Sequence, residues 1–237
     1  MLELTIVEDA EAAARACAER VAAAIERARA ERGVAHVALA GGRTPARTYE
    51  LLASLLKDWR QVHLWFGDER CVPLGDPDSN DALLARTLLA ALPAARSQPM
   101  VHPVTGAGDG DPEAAAGGYE RALRALVAGS PLPQLDLALL GLGEDGHTAS
   151  LFPDDSALDE RARLCVPVHG RKPPFERVTL TLPVLRAARA IVVLTAGAGK
   201  ADAVRAMRAG PSPHVPASLL TQGASVELIA DRAAAGG

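Results

Sequence analysis

Apolar positions along the chain follow two alternating rhythms. Between Asp9 and Arg32, Cys17, Val21, Ala24, Ile25 and Ala28 recur at helical spacing with charges between them, and Gly33 supplies a stop. The next run, Val34 to Ala40, is short and almost wholly apolar, as a buried strand would be. The same alternation then repeats. A helix over Ala46 to Lys57 precedes a strand over Val62 to Phe66, and Ser79 as N-cap opens a helix running to Leu92. A short strand over Met100 to Val104 and a helix from Asp111 to Val127, with Pro112 in its first turn, come next. Leu135 to Leu140 is the third clear strand. Further strands are predicted over Leu164 to Val168, Arg177 to Leu182, Ala190 to Thr195 and Val226 to Ala230, with a helix over Lys200 to Ala209. Near-continuous apolar strands alternating with helices predict a doubly wound α/β fold, a mostly parallel sheet with helices on both faces. No internal repeat is visible. The Pro/Gly-rich stretches Val104 to Pro112 and Gly210 to Pro216 read as loops, because strand and helix patterns continue on both sides. Residues 1–237 are therefore expected to form one domain.

Composition narrows the function classes. With 25 Lys+Arg against 29 Asp+Glu the formal charge is −4, which argues against a general nucleic-acid binder. Hydrophobic residues make up 49%, enough for a folded core and too many for a disordered chain. The start, Met1 to Asp9, lacks a basic segment followed by a long apolar one, and the longest uncharged stretch, Ala209 to Val226, carries three prolines. The expectation is a soluble, cytoplasmic protein that neither crosses nor binds a membrane. Cys17, Cys71 and Cys165 are odd in number and widely spaced, which predicts neither a disulfide framework nor a structural zinc site. His36, His63, His102, His147, His169 and His214 show no paired ligand spacing, so no metal is expected.

In an open parallel sheet, ligands bind beyond the carboxyl ends of the strands, and the unusual residues cluster there. Gly41-Gly42-Arg43-Thr44-Pro45 runs from a strand into a helix; it reads either as a cradle for an anion or as an ordinary turn. Asp68-Glu69-Arg70 follows the next strand, as a solvated salt bridge or as working charges. Gly141-Leu142-Gly143-Glu144-Asp145-Gly146 has dinucleotide-type glycine spacing, but Glu144 and Asp145 would repel a pyrophosphate. An acid/base site fits better, with His147 moving protons and Asp145 orienting it. Only three lysines occur, Lys57, Lys172 and Lys200. Two of them, with Arg171 and Arg177, lie in or beside Gly/Pro loops and suggest a pocket for one compact phosphate; the bland alternative is solvated loop cations.

Taken together, these motifs resemble the 6-phosphogluconolactonase family of the glucosamine-6-phosphate isomerase/lactonase superfamily. The resemblance runs nearly end to end. It rests on Gly41 to Pro45, Trp65 to Arg70, Ser79-Asn80, Gly141 to His147 with Ala149 to Pro153, Lys172-Pro173-Pro174 to Arg177, and Gly197 to Lys200. It implies a doubly wound fold and hydrolysis of 6-phospho-D-glucono-1,5-lactone, the second step of the oxidative pentose phosphate pathway, without a cofactor. It implies His147 as general base with Asp145 beside it, Asp68 and Arg70 at the reacting end, and Gly41, Gly42, Arg43, Thr44, Arg171, Lys172, Arg177 and Lys200 around the phosphate. The family commonly has Ser where this chain has Arg43. The sister branch, glucosamine-6-phosphate deaminase/isomerase, carries a glutamate where this chain has Phe152, so the missing acid favours the hydrolase. A non-catalytic sugar-phosphate sensor is the alternative from another class. The expected partner is a phosphorylated sugar lactone, and the expected state a monomer or small homo-oligomer.

Overall fold

The three clearest apolar runs lie side by side at the centre of the molecule. A computed structural model describes residues 1–73, 75–93, 97–104, 110–126 and 131–236. Its main sheet contains strands β1 (Leu2–Val7), β2 (Ala35–Leu39), β3 (Val62–Phe66), β5 (Met100–Val101), β6 (Leu137–Gly141), β9 (Ile191–Thr195) and β10 (Val226–Asp231). Their order is β1-β10-β9-β6-β2-β3-β5, with every neighbouring pair parallel.

Side chains of a strand alternate between faces, and the buried residues sort accordingly. Val37, Leu39, Leu64, Phe66, Leu139 and Leu194 pack on one face, against α1 (Ala10–Arg32), α2 (Thr44–Leu55) and α3 (Asn80–Thr87). Ala38, Trp65, Leu140, Val193 and Leu228 point to the other face. There they meet α4 (Pro112–Arg124), α5 (Leu182–Arg186), α6 (Ala201–Arg208), α7 (Pro216–Leu219) and α8 (Arg232–Ala235). Each fully buried Leu or Phe contributes about 1.5–3 kcal/mol relative to exposure, so this two-sided burial dominates the stability of the sheet. The long helix α1 is closed as its sequence predicts. Asp9 accepts from Ala12 N at 2.8 Å, and Gly33, at φ +77, donates its N–H to Arg29 O. Among the described residues no helix is long and apolar enough to cross a membrane.

Three features depart from the sequence expectation. The N-terminal segment forms the edge strand β1, fully paired with β10, where its alternating pattern suits a half-exposed position. Asp68–Arg70 is a short strand, β4, and it joins β7 (Cys165–His169) and β8 (Glu176–Leu180) in a separate antiparallel sheet of order β4-β8-β7. These last two runs therefore do not extend the parallel sheet: only segment 170–175 links them, too short for a parallel crossover. Finally, α3 stops at Thr87 and a separate 3-10 turn, Leu89–Ala91, follows. The predicted helix end at Val127 and the loop positions 105–109 lie outside the described residues.

At the amino ends of β2 and β3, three imidazoles meet on one face. His63 Nδ1 lies 2.9 Å from His102 Nε2, the His36 and His63 ring centroids are 4.6 Å apart, and His102 stacks on Trp65 at 3.8 Å. Burial, reinforced by the fields of His63 and His36, pushes His102 down to about 4; burial also lowers His36 and His63. An unfolded chain takes up protons near pH 6.5, whereas the folded cluster resists them. Its contribution to stability is therefore present above that pH and is lost as pH falls from about 6.5 toward 4. Urea unfolding across this window should show a steeper loss in the wild type than in His102→Gln; parallel pH profiles would refute the role of the cluster.

Candidate active site

β2 and β6 are neighbours at the centre of the sheet, but the chain leaves them in opposite directions. From β2 it crosses by α2, on one face, to β3; from β6 it crosses on the other face to β9. Such a switch point opens a crevice at the carboxyl ends of the two strands. Here it is a cleft of about 470 Å³ between the loops after β2, β6 and β9 and the charged strand β4.

One region of the cleft is suited to an anion. After β2 the chain turns through Gly42 at φ +91, a left-handed conformation natural to glycine. α2 then begins at Thr44, and Arg43 in the N-cap position makes no side-chain capping bond, so the first-turn amides have no side-chain partner. After β9, Gly197 N donates to both carboxylate oxygens of Asp231, at 3.0 and 3.1 Å, which pins the turn Ala198–Lys200. Arg43, Thr44 and Lys200 thereby line the same cleft.

The loop after β6 carries the acid/base pair. Gly146, at φ +84, reverses the chain, and Gly143 N donates to His147 O at 2.8 Å to close the loop. His147 Nδ1 lies 2.5 Å from Asp145 Oδ1, and the same oxygen accepts His147 N at 3.2 Å. The histidine beside it holds the Asp145 carboxyl down to about 2, so it stays ionised at any ordinary pH. His147 faces the cleft with Asp145 behind it, which leaves Nε2 as the nitrogen available for proton transfer. The tilted ring of Phe152, 5.1 Å away, backs the imidazole.

The third wall comes from the small sheet. Alternation along β4 directs Asp68 and Arg70 to the cleft and turns Glu69 the opposite way. Glu69 is buried against the start of α3, where its carboxylate accepts the backbone N–H groups of Asn80, Asp81 and Arg70. The Asn80 side chain in turn donates to Asp68 O at 2.7 Å and occupies the space where a Cβ of Gly41 would lie. Asp68 Oδ2 accepts a 2.6 Å bond from Ser150. Arg177, paired in register with Arg70, donates to the carbonyls of Pro174 (2.9 Å) and Lys172 (3.1 Å), and its guanidinium lies 5.7 Å over the Phe152 ring.

Of the residues singled out in the sequence, Gly41, Gly42, Arg43, Thr44, Asp68, Arg70, His147, Arg177 and Lys200 line one cleft, and Asp145 stands behind His147. Arg171 and Lys172 do not line it. Arg171 reaches back to Pro153 O at 2.6 Å and sits 3.8 Å from Asp145; Lys172 is exposed and contributes a carbonyl to Arg177. Their proximity to prolines indicated a loop but not a side-chain direction. Sequence reasoning assigned no role to Asn80, Glu69 or Ser150, whose partners are distant along the chain. It gives no site role to Glu144 or Thr195, both in the cleft wall; for these, position at a strand end is the available signal.

Comparison with known proteins places the chain in a family. Residues 8–229 match the family described as glucosamine-6-phosphate isomerases/6-phosphogluconolactonase. A 6-phosphogluconolactonase of Mycobacterium tuberculosis is 40% identical over 223 residues, covering 91% of this chain and 90% of the relative. One from Synechocystis is 40% identical over 216 residues, covering 88% and 87%. The crystal structure of 6-phosphogluconolactonase from Leishmania guyanensis superposes with a TM-score of 0.84 at 30% identity, over 100% of this chain and 98% of that one. The chain therefore belongs to the glucosamine-6-phosphate isomerase/6-phosphogluconolactonase family.

Proposed function

We propose that this chain hydrolyses 6-phospho-D-glucono-1,5-lactone to 6-phospho-D-gluconate by general-base catalysis. The observation that carries the reading is the placement of the His147–Asp145 pair in the same cleft as Arg43, Thr44 and Lys200. A phosphosugar lactone has the matching two ends: a dianion and a reactive carbonyl. The phosphate takes the Thr44 N–H at the start of α2, the Thr44 hydroxyl, the Lys200 ammonium and the Arg177 guanidinium, which line the same cleft. His147 Nε2 removes a proton from water as the water oxygen bonds to the lactone carbonyl carbon. Charge develops on the carbonyl oxygen, and the guanidinium of Arg70 lies in the cleft to meet it. Collapse of the intermediate breaks the ring C–O bond, and the imidazolium returns its proton to the leaving alkoxide. Ionised Asp145 stabilises the imidazolium between the two transfers. Asp68 accepts from a sugar hydroxyl.

The aldose–ketose chemistry of the sister branch draws on a glutamate whose position is filled here by Phe152, which packs against both His147 and Arg177. One carboxylate–histidine pair supplies the two proton transfers that lactone opening needs.

The first test is the rate of disappearance of the lactone, generated in situ at controlled pH, with the spontaneous opening subtracted. Acceleration proportional to protein is expected, and His147→Ala should lower turnover by about 10²–10⁴-fold. Gly143→Ala should lose most activity while staying folded. An added Cβ would lie 2.0 Å from His147 Nδ1 and 2.6 Å from Asp145 Oδ1, and the backbone there is not left-handed, so alanine tests space alone. Wild-type turnover in either variant would remove His147 from the chemistry. Lys200→Ala should raise KM for the phosphorylated lactone by about tenfold and leave that for glucono-1,5-lactone nearly unchanged. An equal effect on both would place the phosphate elsewhere.

A further inference from the structure

Asp68 and Arg177 are opposite charges in one wall of the cleft, 6% and 8% exposed, yet no direct ion pair within 4.0 Å joins them among the described residues. The side chain between them is Ser150, which is fully buried. Its hydroxyl donates to Asp68 Oδ2 at 2.6 Å, and Arg177 Nη1 donates to Ser150 Oγ at 3.5 Å. The rest of the guanidinium is fixed: Nε on Pro174 O, Nη2 on Lys172 O, and the face over Phe152. Gly170 leaves the room this needs, since a Cβ there would lie 2.6 Å from Arg177 Nε. Ser150 is held just as firmly. Its N–H donates to Thr179 Oγ1 at 3.3 Å, and Ala149 before it adopts φ +49, a conformation uncommon for alanine.

Buried opposite charges attract strongly and close on one another when nothing intervenes. A closed pair would be neutral overall, and neither member would then offer its charge to a ligand. We propose that Ser150 is a positioning residue that acts as a spacer. It gives Asp68 a hydrogen bond that competes with Arg177 and so keeps the Arg177 charge open to an anionic substrate. The inference rests on the phosphosugar reading of the cleft and adds a determinant of affinity that touches no substrate atom itself. It also separates the two groups by role: Arg177 recognises charge, and Ser150 keeps that charge unspent.

The test is a double-mutant cycle read by calorimetric binding of 6-phosphogluconate, a ligand that undergoes no reaction. Ser150→Ala should weaken binding by about tenfold or more in the wild-type background. In an Asp68→Asn background, where there is no carboxylate for Arg177 to close upon, it should change affinity by less than about twofold. A purely structural role would give the same loss in both backgrounds, and that result, or no loss in the first, would overturn the proposal. Ser150→Cys leaves no cavity and replaces the hydroxyl by a larger, weakly donating thiol, so it repeats the cycle if the alanine variant fails to fold. Failure of the wild type to bind 6-phosphogluconate would instead overturn the phosphosugar reading.

Discussion

Two adjacent strands whose chains leave over opposite faces of a sheet cannot have their carboxyl ends covered by either crossover, and here that pair is β2 and β6. Everything at the site follows from this constraint. The gap is flanked by the amino end of α2 on one side and by the loop after β6 on the other. The first offers the Thr44 N–H and hydroxyl, and the second offers a turn short enough to hold a histidine and a carboxylate in contact. A site for charge separation thus arises from topology before any charged side chain is considered.

The small antiparallel sheet supplies what the parallel sheet cannot. Parallel strands covered on both faces hold mainly apolar side chains along their length. β4 and β8 lie outside that sandwich, so alternation along them can send Asp68, Arg70 and Arg177 into the cleft and bury Glu69 against α3. The buried carboxylate of Glu69, bonded to three backbone amides, locks β4 to α3, and Asn80 at the start of the same helix holds Asp68. The wall is braced because Glu69, Arg70 and Arg177 are tied to backbone and the Asp68 carboxylate to Ser150 and Asn80.

Much of this was legible in the sequence, and the parts that were not share a cause. The strands β2, β3, β6 and β9 are short apolar runs ending in glycine or polar turns, both of which are local signals. So are the Gly41 to Thr44 turn and the Asp145-Gly146-His147 loop, whose key contacts span two residues. By contrast, the bond between Ser150 and Asp68 spans 82 positions, and that from Asn80 to Asp68 spans 12; no spacing rule reaches such pairs. Strand propensity also carries no direction. β7 and β8 read as two further strands, and only the shortness of segment 170–175 marks them as an antiparallel pair. β1 carries little strand signal because an edge strand needs only modest apolar character to pair along one side.

The loop from Gly143 to His147 is closed upon itself. Gly143 N binds His147 O, Gly146 N binds Gly143 O, and Asp145 grips both the backbone and the ring of His147. Its own bonds set most of its geometry, and Ala217 N on Gly146 O, Phe152 behind His147 and Arg171 beside Asp145 anchor it to its surroundings. A self-contained loop of this kind behaves as a transferable part: the same proton-handling unit can serve ring opening or carbon-skeleton rearrangement, according to which neighbours, such as the residue at Phe152, are set against it. Divergence within such a fold then proceeds by exchanging the frame while the proton carrier stays as it is.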